Sequence, residues 1–323
     1  MKVAMSLLET IKLWFDSEHG SDQVGDSRKL NLVRCLPFIF VHLACISVIW
    51  VGWSPVAVAV CVALYFIRMF AITAFYHRYF SHKSFKTGRF SQFCFAVLGN
   101  SATQRGPLWW AAHHRKHHKH SDEESDLHSP IKHGFWWSHM GWFTCDAAFK
   151  TDYAMVKEWS KFPELKFLNR YDTLVPIILG TSLFIIGEIL LAFTPSLETS
   201  GMQMFIWGYC ISTVVLSHGT FTINSLCHTW GKRRFNTEDD SRNNFWLALI
   251  TLGEGWHNNH HRFPVSARQG FYWWEVDVTY YILKAMEKLG IIWDLNPVPT
   301  RILIEGKEAD ITSAKSSLKG KGV

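Results

Sequence analysis

The sequence is poor in charge. Asp, Glu, Lys and Arg make up 19% of its 323 residues, against 48% hydrophobic and 15% aromatic. That balance leads away from a soluble enzyme and toward a membrane protein with substantial aqueous parts. Paired cysteine motifs are missing: the seven cysteines are an odd number with no C-x-x-C among them. A disulfide framework and a ferredoxin-type cluster are thereby excluded. Cys35, Cys45, Cys61 and Cys210 lie in apolar runs and read as small hydrophobes. The chain has no glycine-rich dinucleotide fingerprint and no HPGG haem motif, so no bound flavin, nicotinamide or haem is expected. It has no internal repeat. Its basic residues form no dominant stripe with a binding motif, so nucleic acid is not an expected partner. The formal charge of +6 suits an anionic lipid surface or head group instead. The first fifteen residues carry Glu9 and Lys12 among apolar side chains. They lack the unbroken core of a signal peptide and read as an amphipathic segment at a membrane surface.

What the chain does have is four long apolar runs, at about residues 37–51, 56–75, 174–193 and 202–222. Each is near the ~20 residues that cross a bilayer's hydrocarbon core. The links GWSP and TPSLETSG carry no Lys or Arg, whereas the outer flanks do: Arg28, Lys29, Arg34, Arg78, Lys83, Lys166, Arg170, Lys232, Arg233 and Arg234. By the positive-inside rule the runs form two hairpins whose tips face outward, with both termini and the polar regions cytoplasmic. The expected fold is an all-α membrane protein: four transmembrane helices in two hairpins and a cytosolic helical cap built from 76–172 and 224–304. Residues 1–34 form a cytosolic or interfacial segment, 35–304 the main domain, and 305–323 a disordered polar tail. Residues 90–99 are apolar but too short to span. An amphipathic helix is expected from Glu275 to Leu289. Arg68, inside the second run, is expected to snorkel to the interface or to project beyond the lipid. His42 is expected to be satisfied structurally, and Glu188 to mark a contact within the bundle.

The histidines fall on one side of this map. His77 and His82 follow the second run. His114, His117 and His118 sit at i, i+3 and i+4, a spacing that puts three imidazoles on one helical face. His257, His260 and His261 repeat it, and Asn224 and His228 end the fourth run. His77 and His82, five apart, differ by about 140° on an ideal helix and need not share a face. Nine imidazoles exceed the roughly four to six ligands of one metal and suit two. By ligand type alone Fe, Zn, Cu and Ni all remain open. Asn224 is an oxygen ligand able to hold a metal-bound water.

The boxes H-x4-H, H-x2-HH and H-x2-HH, with N-x3-H, resemble the membrane-bound fatty acyl desaturases of the stearoyl-CoA (Δ9) type. The resemblance covers about residues 35–300 and includes Gly255 and Trp256, and Asp126, His128 and Ser129. It implies a mushroom-shaped fold with a di-iron centre held by His77, His82, His114, His117, His118, His228, His257, His260 and His261, with Asn224 acting through water. It implies Gln104, Trp110 and Thr220 around the bend of a fatty-acid tunnel. The implied reaction is O2-dependent Δ9 desaturation of a long-chain fatty acyl-CoA or acyl lipid. Two electrons come from a separate donor of ferredoxin, rubredoxin or cytochrome b5 type with its reductase. Asp122, Glu123, Glu124 and Asp126 are candidates to orient a ligand imidazole through its other nitrogen, Asp126 foremost, the rest of the run otherwise reading as solvated. His19, His113, His120, His128, His133, His139 and His218 match no ligand position. Arg78, Lys116, Arg233 and Arg234 are candidates to attract a head-group phosphate, or simply mark topology. A membrane di-iron hydroxylase is the alternative, and a metal transporter a remote one. The short termini, without a fused domain or retention signal, point to a bacterial inner membrane, with the endoplasmic reticulum as the other choice.

Overall fold

The computed structural model describes residues 6–20 and 28–319. Helix α1, Leu7–Phe15, starts at an N-cap where the Ser6 hydroxyl accepts the Glu9 N–H. Its apolar Leu7, Leu8, Ile11 and Phe15 are exposed, as an interfacial helix requires. Among the described residues, four helices are long and apolar enough to cross a membrane: α2 (Leu32–Val51), α3 (Pro55–Ser81), α7 (Leu174–Phe193) and α8 (Gly201–His228). Gly52, at φ 65°, turns the chain after α2, and Ser54 with Pro55 at the first position starts α3. Between α3 and α7 lie α4 (Arg89–Asn100), α5 (Pro107–His120) and α6 (Pro163–Arg170). After α8 come α9 (His257–Arg262), α10 (Val278–Lys288) and α11 (Thr300–Lys319). A two-stranded antiparallel ribbon, Lys86–Thr87 with Ile292–Trp293, ties the two polar regions together.

Helices α3 and α8 run beyond the apolar segments by one to two turns, because hydropathy stops where the polar ligands begin. The last part of α3, Ala71–Ser81, is π-helical, with i→i+5 hydrogen bonds. His82 N–H donates to His77 O at 3.3 Å, and the two rings stand 4.9 Å apart. The 140° separation of an ideal α-helix is thus removed, and both imidazoles approach from one side.

Three expectations fail. Arg68 does not snorkel: it is buried, donating to Thr213 Oγ1 (2.8 Å), Ser101 O (3.2 Å) and Ser212 Oγ. The hydroxyls of α8 solvate the guanidinium inside the bundle. The helix expected from Glu275 begins at Val278, capped by Asp277, because Glu275 is buried against Arg234. The tail is not disordered from 305: α11 runs to Lys319. Glu305 pairs with Arg262 at 2.6 Å, Asp310 pairs with Arg234 at 3.0 Å, and Gly306 meets Tyr272. Composition alone cannot see those partners. His42 is satisfied by Phe38 O and by His218, and Glu188 accepts the Gly201 N–H at the start of α8 (2.9 Å).

Arg78 is also not a head-group ligand. It is buried between Asp277 (2.9 Å) and Glu254 (3.0 Å), joining α3 to the start of α10. A buried charge is tolerable only with such partners.

Candidate metal centre

The nine histidines converge into two groups, and in each the offered ligand nitrogens lie within 4.8 Å of one another. His77, His82, His114, His118 and His260 form one; His117, His228, His257 and His261 form the other. The division follows helix geometry. On α5, His114 and His118 are i and i+4 and face the first group, while His117 turns to the second. On α9 the roles reverse: His257 and His261 face the second group and His260 the first. Two short helices thus each serve both groups.

The Nε2 atoms face one another without a donor to spare. His77 meets His260 at 3.0 Å, His82 meets His114 at 2.8 Å, His118 meets His260 at 2.8 Å and His228 meets His257 at 3.1 Å. Two ligands at right angles around a metal at about 2.1 Å stand about 3.0 Å apart. His261 Nε2 is buried with no hydrogen-bond partner among the described residues. The donor set therefore fits two metal ions.

The other ring nitrogens are held from behind. Asp126 takes His117 Nδ1 at 2.9 Å, Asp122 takes His228 Nδ1 at 2.8 Å, Asp239 takes His261 Nδ1 at 2.6 Å, and Glu254 takes His77 Nδ1. Gln269 lies 3.2 Å from His77 Nδ1 and 3.4 Å from His260 Nδ1. The carboxylate contacts fix the tautomer and leave Nε2 free to ligate; the Gln269 contact is not of that kind, because it presents its amide Nε2 to both rings. Of these, Asp126 and Asp122 are among the candidates read from the sequence, whereas Glu123 and Glu124 of the same run hold no ligand imidazole. Asp239 and Gln269 sit at no telling spacing, and Glu254, three residues before His257, serves His77 instead.

Burial, then the neighbouring imidazoles, hold His82, His114, His118, His257 and His260 well below the usual histidine range. Burial brings His261 down to about 4 even beside Asp239. These rings are neutral at physiological pH, as metal ligation requires. Burial also pushes the Asp126 and Asp122 carboxyls up, but the charges of their histidine partners hold both well below the usual range. His117 is raised: burial lowers it, and Asp126 more than compensates. A bound metal takes the place of that proton.

The remaining histidines stay outside these two groups. His128, ring to ring with His117 at 4.3 Å, forms a smaller cluster with His117 and Asp126. Burial takes it down to about 3. His113 packs between Trp109 and Trp142, and burial takes it to about 4. His120 pairs with exposed Glu123, and His139 bridges His218 and Ser225.

A cavity of about 710 Å³, mostly apolar, runs beneath the histidines. His77, His114, His117, His257 and Asn224 line it. So do Gln104, Trp110 and Thr220: the Gln104 amide donates to Thr220 Oγ1 at 2.6 Å, and Trp110 stacks on His114 at 5.1 Å.

Four helices long and apolar enough to cross a membrane, with a buried two-part histidine site at their polar end able to hold metal, fit the membrane-protein class. Residues 24–293 match the family model described as fatty acid desaturase, and the chain belongs to that family. It is 38% identical over 252 residues to an acyl-CoA C20 Δ5-desaturase of Anemone leveillei, covering 75% of this chain and 74% of that one. It is 36% identical over 266 residues to an sn-1 stearoyl-lipid 9-desaturase of Anabaena variabilis, covering 81% and 93%. Against a chloroplastic palmitoyl-monogalactosyldiacylglycerol Δ7-desaturase of Arabidopsis thaliana it is 37% identical over 253 residues. That match covers 76% of this chain but 62% of the relative, less than two thirds of its length.

Proposed function

We propose that the chain introduces a cis double bond, at Δ9, into a long-chain saturated fatty acyl group. The overall change balances as R–CH2–CH2–R′ + O2 + 2e⁻ + 2H⁺ → R–CH=CH–R′ + 2H2O. The reading rests on one observation above all: a mostly apolar cavity reaches the two histidine groups and is lined by His77, His114, His117 and His257. The two ions are iron. Bound by these histidines, they would supply the O2 reduction and hydrogen abstraction that no side chain can perform on an unactivated methylene.

The chain's own residues bind and orient. The nine histidines would hold the ions and Asn224 would contribute through a water, while Asp122, Asp126, Asp239 and Glu254 keep the ligand rings in register. Gln104 and Thr220 tie two sides of the cavity at its bend, and Trp110 forms its wall against His114, so that a fixed pair of carbons lies under the site. The dry, apolar lining excludes water from the reacting carbons. The two electrons come from a separate donor of ferredoxin, rubredoxin or cytochrome b5 type. The site faces the cytoplasm, with both termini, on the strength of the basic flanks. The relatives' names include acyl-CoA and acyl-lipid enzymes, and the resemblance by itself points to acyl-CoA.

The test is incubation of the iron-loaded protein with saturated substrate, O2 and a reducing system, followed by mass spectrometry. Loss of two hydrogens with the double bond at carbon 9 is expected. Gain of one oxygen would make the protein a hydroxylase.

A further inference from the structure

The cavity has a mouth whose chemistry is unlike that of a cytosolic opening. Helices α2 and α7 each pack on α8, and not closely on one another. The crevice between them is part of the cavity, lined by Leu36, Phe38 and Val41 of α2 and by Pro176 and Ile177 of α7. Its outer edge is apolar: Phe15, Leu36, Phe40 and Ile177 line the cavity and are exposed, Phe40 by 75%. Exposed apolar side chains on membrane-spanning helices face lipid.

Helix α1 lies across this crevice like a lintel. The Trp14 indole donates to Val33 O on α2 (2.7 Å). At the other side Asp16 pairs with Arg170 (2.6 Å), and the Ser17 hydroxyl donates to Asn169 O (2.9 Å), just before α7. Beneath it, two guanidiniums line the cavity. Arg34 is only 8% exposed, lies 5.0 Å over the Phe149 ring, and its Nη1 has no hydrogen-bond partner among the described residues. Arg105 lies over the same ring at 5.1 Å and pairs with Asp172. Arg34 Nη2 donates to His19 O, but its buried Nη1, left without an acceptor in a mostly apolar mouth, calls for an oxygen brought by the ligand. Of the four basic residues considered for a soluble carrier's phosphates, three are already paired: Arg78 with Asp277 and Glu254, Arg233 with Asp240, Arg234 with Glu275 and Asp310; Lys116 is exposed and does not line the cavity.

We propose that this mouth is a side entrance from the bilayer between α2 and α7, and that the substrate is the acyl chain of a membrane glycerolipid. Arg34 receives an ester or phosphate oxygen of that lipid, with Arg105 beside it, while the chain passes under α1 toward the histidines. The inference rests on the desaturase reading for what happens to the chain, and on the mouth alone for how it arrives.

The experiment uses the full chain, iron-loaded and supplied with O2 and a reducing system, in vesicles of distearoyl phosphatidylglycerol, with stearoyl-CoA offered in a parallel arm. A photoactivatable phospholipid with a diazirine in its acyl chain reports binding without turnover. Labelling of α2 and α7 is expected, competed by the distearoyl lipid. Ile177→Trp, at an exposed position, narrows the mouth and lowers labelling and lipid desaturation about tenfold, and Arg34→Gln weakens lipid binding about tenfold. Neither change alters the iron content. Double bonds in the phospholipid support the entrance. Double bonds in stearoyl-CoA alone, or no labelling of the mouth, overturn it. Labelling without a double bond in either substrate upholds the entrance and refutes the desaturase reading.

Discussion

Replacing Asp239 by Asn tests how the site is held, because the substitution changes one atom and reverses one hydrogen bond. Asp239 Oδ2 accepts from His261 Nδ1 at 2.6 Å. Its Oδ1 accepts from the Ser241 N–H at 3.0 Å and from the Thr237 hydroxyl at 3.0 Å. Those two donors keep the amide oxygen on their side, so the amide NH2 of Asp239→Asn faces His261. An NH2 there demands a lone pair on Nδ1. The ring proton then moves to Nε2, the atom that must ligate. Loss of such an outer contact weakens metal binding about 10- to 100-fold, or about 1.4–2.7 kcal/mol. The effect belongs to the four-imidazole group, since His261 serves only that one. Iron titration of the purified variant should therefore show one site weakened and the other unchanged. Two ions bound as tightly as in the parent would refute the division into groups, or the role of Asp239.

Arg78→Met leaves Asp277 and Glu254 buried without their cation and is expected to cost about 3–5 kcal/mol. Thermal unfolding in detergent measures it, and an unchanged melting temperature would show the triad to be dispensable. Removal of residues 300–323 uncovers the cluster of Phe235, Phe271 and Tyr272 on which buried Ile302 packs. A loss of about 2 kcal/mol follows from that side chain's burial. Denaturant titration of the shortened chain should show a lower midpoint, and an unaltered one would mean that α11 contributes nothing to the fold.

The order of these effects follows from where each group sits. The Arg78 triad is sealed in the protein interior, so no water replaces a missing partner. The pairs on α11 are partly exposed and contribute little individually. Asp239 lies between: its importance for folding is modest, but it acts through a nitrogen whose lone pair must point inward.

Much of this protein was legible in the chain. Hydropathy located four spans, because crossing a bilayer imposes a length and a composition that few other structures require. Histidine spacing on α5 and α9 announced two helical faces built for metal. The limits of that reading have physical causes. An ideal helix separates His77 from His82, and only the π-helical turn of α3 brings them together. The i, i+3, i+4 spacing suggested one face and one cluster, whereas each short helix sits between two clusters and serves both. Asp239, Glu254 and Gln269 come from distant segments, and no periodicity links them to the rings they hold. Arg68 and Arg78 looked like interfacial charges, since sequence carries no record of the hydroxyls and carboxylates that receive them. The residues that bind were set by composition and local spacing. Which ring joins which group, which carboxylate stands behind it, and where the cavity opens were decided by packing between segments far apart in the chain.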